Sequence, residues 1–135
     1  MQAVDCVGAT LGDCDACETE LLHVIREDHT FDRDGQQLVL KDSSIEDAKK
    51  SIITFFDEAK NRLIKSGFDP DQISTEIIAG SYSRAFTIVQ EAKKGGYGTI
   101  VIARRGMSKV RDFFMGRVSN KTIQLARGKA VWIVT

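Results

Sequence analysis

The sequence is defined first by what it lacks. It has one proline, Pro70, in 135 residues, so almost nothing forbids regular structure along its length. No apolar run approaches the ~20 residues that cross a membrane, and no membrane partner is expected. The first residues hold Asp5 and Gly8 without a basic start, so no signal peptide is expected. Net charge is missing too: 19 Lys and Arg balance 19 Asp and Glu. General nucleic-acid binding rests on excess positive charge and is not expected. Cysteines number three, Cys6, Cys14 and Cys17, an odd count that suits a reducing cytoplasm. Cys14-Asp-Ala-Cys17 stands alone, whereas a zinc site wants four ligands. A redox pair normally follows a strand and opens a helix, but this one precedes a strand, so small residues in a turn are the default reading. Neither GxxxxGK[ST] nor GxGxxG occurs. No nucleophile–base pair or metal cluster is evident, and nothing marks Asp112, His23 or His29 for chemistry, so no enzyme is expected.

What is present suits one domain over residues 1–135. Hydrophobic residues make up 42% and charged residues 28%, the balance of a globular core under a charged surface. Ala3, Val4, Val7 and Leu11 lie at helical spacing, with Gly12 as a stop. Residues 20–26 (ELLHVIR) read as a buried strand, with His23 a packed residue. Residues 27–42 read as a long polar loop with a turn at Asp34-Gly35. Ser43 and Glu46 form a capping box for a helix whose apolar face runs from Ile45 through Phe55 and Phe56 to Leu63. Gly67 stops it and Pro70 bars continuation. Residues 72–79 are a second strand with Gly80 as its turn. Ser81 or Ser83 caps the next helix, which Gly95-Gly96 ends. Residues 99–103 (TIVIA) are an apolar strand. Ser119 caps a helix carrying Ile123 and Ala126, and residues 130–134 (AVWIV) form the last strand. Alternating elements with apolar strands predict an α/β fold, an open parallel sheet with helices on both faces.

Charge is unevenly placed. From Arg104 to Lys121 six basic residues stand against Asp112 alone, so this segment is about +5 and the rest about −5. It follows the strand at 99–103, at the carboxyl end where ligands of such sheets bind. Gly106 and Gly116 let backbone N–H groups approach an anion with no Cβ in the way. The helix that follows aims its amino terminus at the same place. A solvated basic loop is the plain alternative.

The segment ARRGMSKVRDFFMGRVSNKTIQLARGKAVWIVT resembles the last third of universal stress proteins, whose ATP-binding members carry G-x2-G-x9-G-[ST] at this loop. Ala103 stands at the first glycine, Gly106 at the second, Gly116 at the third, and Arg117 where Ser or Thr is expected. ELLHVIRE resembles the family's second strand, and the long helix, Ala79-Gly80 and GGYGTIVIARRG fit in order. The resemblance implies a Rossmann-like fold of the HUP type. It also implies a regulatory domain that binds an adenine nucleotide, ATP with Mg2+, through Val24, Ala103, Arg104, Arg105, Gly106, Gly116, Arg117, Val118 and Ser119. The alternative is a stress-response interaction module without nucleotide, dimerising through Val131, Trp132 and Ile133 of the last strand.

The family begins with a strand ending in Asp, and this strand is central in its sheet. Here Ala3-Val4-Asp5 matches only its last letters, and AVDCVGATL reads as the first helix instead. The expectation is a domain without the first strand, shortened or part of a longer chain. Two strand edges would then lie unpaired in the core, with self-association as the consequence.

Overall fold

The computed structural model describes residues 1–26, 30–31, 37–38, 42–103 and 116–135. The first element is a helix, α1 (Gln2–Leu11), so Asp5 lies on a helix and not at the end of a strand. Its carboxylate accepts two hydrogen bonds from one guanidinium nitrogen of Arg62, at 3.1 and 2.9 Å. Arg62 also reaches Glu58 at 3.0 Å. These pairs are exposed and screened by water, so they add little to stability. The closer fastening of α1 is steric. A Cβ on Gly12 would stand 2.0 Å from the Ser66 carbonyl oxygen, and one on Gly67 2.3 Å from the Gly12 carbonyl oxygen. Gly67 also has φ +119°, which L side chains rarely adopt.

Cys14 and Cys17 form a disulfide in the turn after α1, where the sequence suggested only turn residues in a reducing setting. Gln72 holds the same turn, donating to the carbonyls of Cys14, Asp15 and Cys17 at 3.0, 3.2 and 2.8 Å. Strand β1 (Thr19–Arg26) follows. The expected long loop instead carries a short antiparallel pair, β2 (Thr30–Phe31) and β3 (Gln37–Leu38). The Asp34-Gly35 turn and His29 lie outside the described residues. Helix α2 (Asp42–Lys65) starts one residue before Ser43, so Ser43 stands in its first turn rather than ahead of it. Helix ends vary by a residue or two between definitions. Of its apolar face, Phe56, Ala59 and Leu63 are buried but Phe55 is 48% exposed.

A 3-10 turn, Pro70–Gln72, leads into β4 (Ile73–Ser81). Gly80 does not end this strand. It lies inside it at φ +76°, where the register against β1 slips between Val24 and Arg26. Helix α3 (Arg84–Lys94) is capped by Ser83, whose hydroxyl accepts from the Phe86 N–H at 3.3 Å. Strand β5 (Thr99–Ala103), helix α4 (Arg117–Leu125) and strand β6 (Ala130–Val134) complete the chain.

The four longer strands are parallel as expected, but they form two separate pairs. β1 pairs with β4 and β5 with β6, and no ladder joins β1 to β5. The core is divided to match. Val7, Leu63, Phe68 and Ile73 cluster under α1 and α2, with Leu21 and Val101 against them. Val89, Ala92, Ile100 and Ala126 cluster under α3 and α4, with Ile102 and Val131. Successive β5 residues thus face opposite layers, which confirms helices on both faces.

Candidate functional site at the carboxyl ends of the strands

Because β5 and β6 are parallel, the connection between them must return along the sheet, and α4 makes that return. Its amino terminus therefore lies at the carboxyl end of β5. Gly116 is the N-cap of α4, with no side-chain capping bond. Its own carbonyl accepts the first intrahelical bond, from the Asn120 N–H at 3.0 Å. The N–H groups of the first turn have no partner within the helix. They and the helix dipole form a ready receptor for an anion.

The expected site residues fall around this point. Ala103 is the last residue of β5 and pairs with Val134. Gly116 and Arg117 are exposed, Val118 is half-buried and Ser119 is only 4% exposed. Ser119 is not the cap: it sits within the first turn of α4, and Gly116 takes the cap position because its extended ψ of 157° turns the chain into the helix. Val24 is buried near the carboxyl end of β1. Arg104, Arg105 and Gly106 lie outside the described residues, as does Asp112. Ile123, expected on the inner face of α4, is 42% exposed, whereas Thr122 is fully buried. The Thr122 hydroxyl escapes the usual penalty for burial by donating to the Val118 carbonyl at 2.7 Å.

Gly116 has φ −58°, and among the described residues a Cβ there would meet nothing within 4 Å. Packing among the described residues does not require glycine at this position. At the neighbouring carboxyl end of β4, Ser81 is buried and its hydroxyl lies 2.6 Å from that of Thr87 and 3.0 Å from the Ser83 carbonyl. The sequence allowed either Ser81 or Ser83 as a cap. The structure divides the work, with Ser83 capping and Ser81 bracing the turn. His23 is half-buried on β1 opposite Ile77.

At the other end of the strands, burial raises the Glu20 carboxyl above its ordinary range, helped by repulsion from Glu91 and opposed by a hydrogen bond from Tyr97. No local pattern marks this group, because Glu91 and Tyr97 are distant from it along the chain. Among the described residues no group of three or more His, Cys, Asp or Glu is placed to hold a metal ion. No helix among them is long and apolar enough to cross a membrane.

The family model of the universal stress proteins matches residues 2–134. The chain belongs to the universal stress protein family. A curated relative, universal stress protein YxiE of Bacillus subtilis (strain 168), is 29% identical over 80 residues, 59% of this chain. The match spans about half (51%) of that relative's length. Among solved structures, a universal stress protein in complex with cAMP superposes with a TM-score of 0.64 at 17% identity. The hypothetical protein MJ0577 superposes with a TM-score of 0.56 at 23% identity. Each comparison covers 98% of this chain and 84% of the other. At such identities these likenesses establish the α/β, Rossmann-like fold.

Proposed function

We propose that this chain is a regulatory, non-catalytic domain that binds an adenine nucleotide, ATP with Mg2+, at the amino terminus of α4 and the carboxyl end of β5. The observation that carries the reading is Gly116: a glycine that packing among the described residues does not require, at a helix start without a side-chain cap, where a phosphate would lie against backbone N–H groups. Arg117 adds a charge where the family motif has a hydroxyl. Mg2+ enters with the nucleotide, since it is commonly held through substrate phosphates rather than a dedicated protein cage. Family membership supports this reading, as does a similar structure described as a cAMP complex. The proposed setting is the cytoplasm, on the odd cysteine count; the Cys14–Cys17 disulfide weighs against it.

Native mass spectrometry with and without Mg-ATP tests the proposal. The expected result is one added nucleotide mass per chain, lost in Gly116→Val, whose branched side chain blocks backbone approach. No adduct, or an equal adduct in Gly116→Val, removes this site.

A second reading, a dimerising interaction module, is favoured by β6. Among the described residues this strand pairs only with β5, and Val131, Trp132 and Ile133 remain half-buried. An unpaired apolar edge invites a second strand. If Trp132 anchors a dimer, Trp132→Lys should cost about 2 kcal/mol of association or more and shift sedimentation towards monomer. An unchanged profile excludes that role.

A further inference from the structure

The division between the two strand pairs is a cavity of about 440 Å³. Its walls include the starts of β1 (Thr19–Leu22) and of β5 (Thr99–Ile102), with α1 and α2 over one face and α3 over the other. A strand in the middle of such a sheet is ordinarily buried on both sides. Here only Val24 of β1 and Ile100 of β5 are buried, while Leu21, Leu22, Val101 and Ile102 remain half-buried. Each strand spends one edge on its partner, and among the described residues no strand pairs with the other edge.

The two edges run in the same direction. Glu20, at the start of β1, and Tyr97, two residues before β5, line the same cavity, so the amino ends of both strands lie together. The cavity offers apolar side chains from both helical layers, Val4, Val7 and Phe56 on one and Ile88 and Ala92 on the other. At the amino end the character changes. Glu18, Glu20 and Glu91 are the charged residues among those lining the cavity, and all are acidic. They stand near the last turn of α3, where the helix dipole is also negative. Lys94 offsets part of this field at Glu20.

We propose that the slot between β1 and β5 is a docking site for an extended, wholly apolar segment of a partner polypeptide, entering parallel to both strands with a Lys or Arg at its amino-terminal end. Its length is set by β5, whose 5 residues match a strand of about five or six. A compact apolar ligand would fill the volume but leave two rows of backbone donors and acceptors unpaired. An extended backbone pairs with both rows at once. Because both helical layers are apolar, the segment should be apolar at successive positions rather than alternate ones. The three carboxylates select the cation at its start. This docking is separate from the nucleotide proposal, since the cavity is lined by Thr19–Leu22 and Thr99–Ile102 and by neither Val24 nor Ala103.

The probe is the blocked peptide Lys-Val-Ile-Val-Ala-Val, titrated calorimetrically into the purified chain, with amide hydrogen exchange as the structural readout. The expected result is saturable binding with at least tenfold slower exchange at amides within 19–22 and 99–102. Replacing the central Val by Pro, which removes a ladder donor, should abolish binding. A leading Glu in place of Lys should weaken binding about tenfold, and Glu20→Lys should reverse the preference between these two peptides. Three results overturn the proposal: no binding; equal binding of the Pro peptide, which would show a plain apolar pocket; or full protection of these amides before peptide is added. In the last case sedimentation as a dimer would identify a second copy as the occupant.

Discussion

The junction of α1 with α2 and the start of α4 both depend on glycine, for opposite reasons. At the junction, Gly12 and Gly67 touch. Any Cβ there collides with backbone at 2.0 or 2.3 Å, and Gly67 also holds a positive φ. At the start of α4, Gly116 has an ordinary negative φ and, among the described residues, nothing within 4 Å of where its Cβ would stand. The first pair is explained by the fold; the second position is left for a ligand to explain. A glycine's role is therefore decided by its φ and by what its absent Cβ would meet. Its place in a motif does not decide it.

The largest expected effect lies at the junction. Gly67→Ala should destabilise the fold by about 3 kcal/mol, combining a strained backbone with a backbone clash. Gly12→Ala keeps a favourable φ of −57° but meets the Ser66 carbonyl, so it should cost about 2 kcal/mol. Urea midpoints at unchanged m-value would measure both. Two neutral substitutions would mean that α1 is not wedged on α2, and the contrast with Gly116 would collapse.

The difference between these regions also marks what the sequence could show. Helical periodicity and continuous apolar strands were legible because they are local, and they located α1, β1, α2, α3, β5 and β6. The short pair β2–β3 was not, because two-residue strands lack a readable period. Gly80 read as a turn because a glycine after an apolar run ordinarily is one. Only the resumption of pairing with β1 at Ser81, beyond it, reveals a residue kept inside a strand. Ser119 looked like a cap by type, but Gly116 comes first and takes that position. On α4, Ala126 is buried as its apolar character suggested, but Thr122 rather than Ile123 lies inward with it, because its hydroxyl bonds to its own helix. The split between β1 and β5 was legible only through the family resemblance. No property of either strand alone announces that its partner on one side is lacking. At the candidate site, Gly116 and Arg117 fall at the helix start, three and two residues before the expected cap Ser119, while Arg104, Arg105 and Gly106 lie outside the described residues.

The smallest expected effect on stability sharpens the comparison most. Gly116→Ser installs one of the favoured N-caps at a position with open space and an acceptable φ. Its hydroxyl can accept a bond from the first turn of α4, which has no side-chain cap of its own. Stability should change by no more than about 0.5 kcal/mol, against about 3 kcal/mol at Gly67. Nucleotide binding should nonetheless fall, because the serine oxygen occupies the N–H groups that the phosphate would use and adds a Cβ at the point of approach. The paired measurement is a urea titration and a nucleotide titration on the same protein. A stable variant with weakened binding assigns Gly116 to the ligand. A destabilised variant assigns it to the fold after all, and would make the two glycine positions alike.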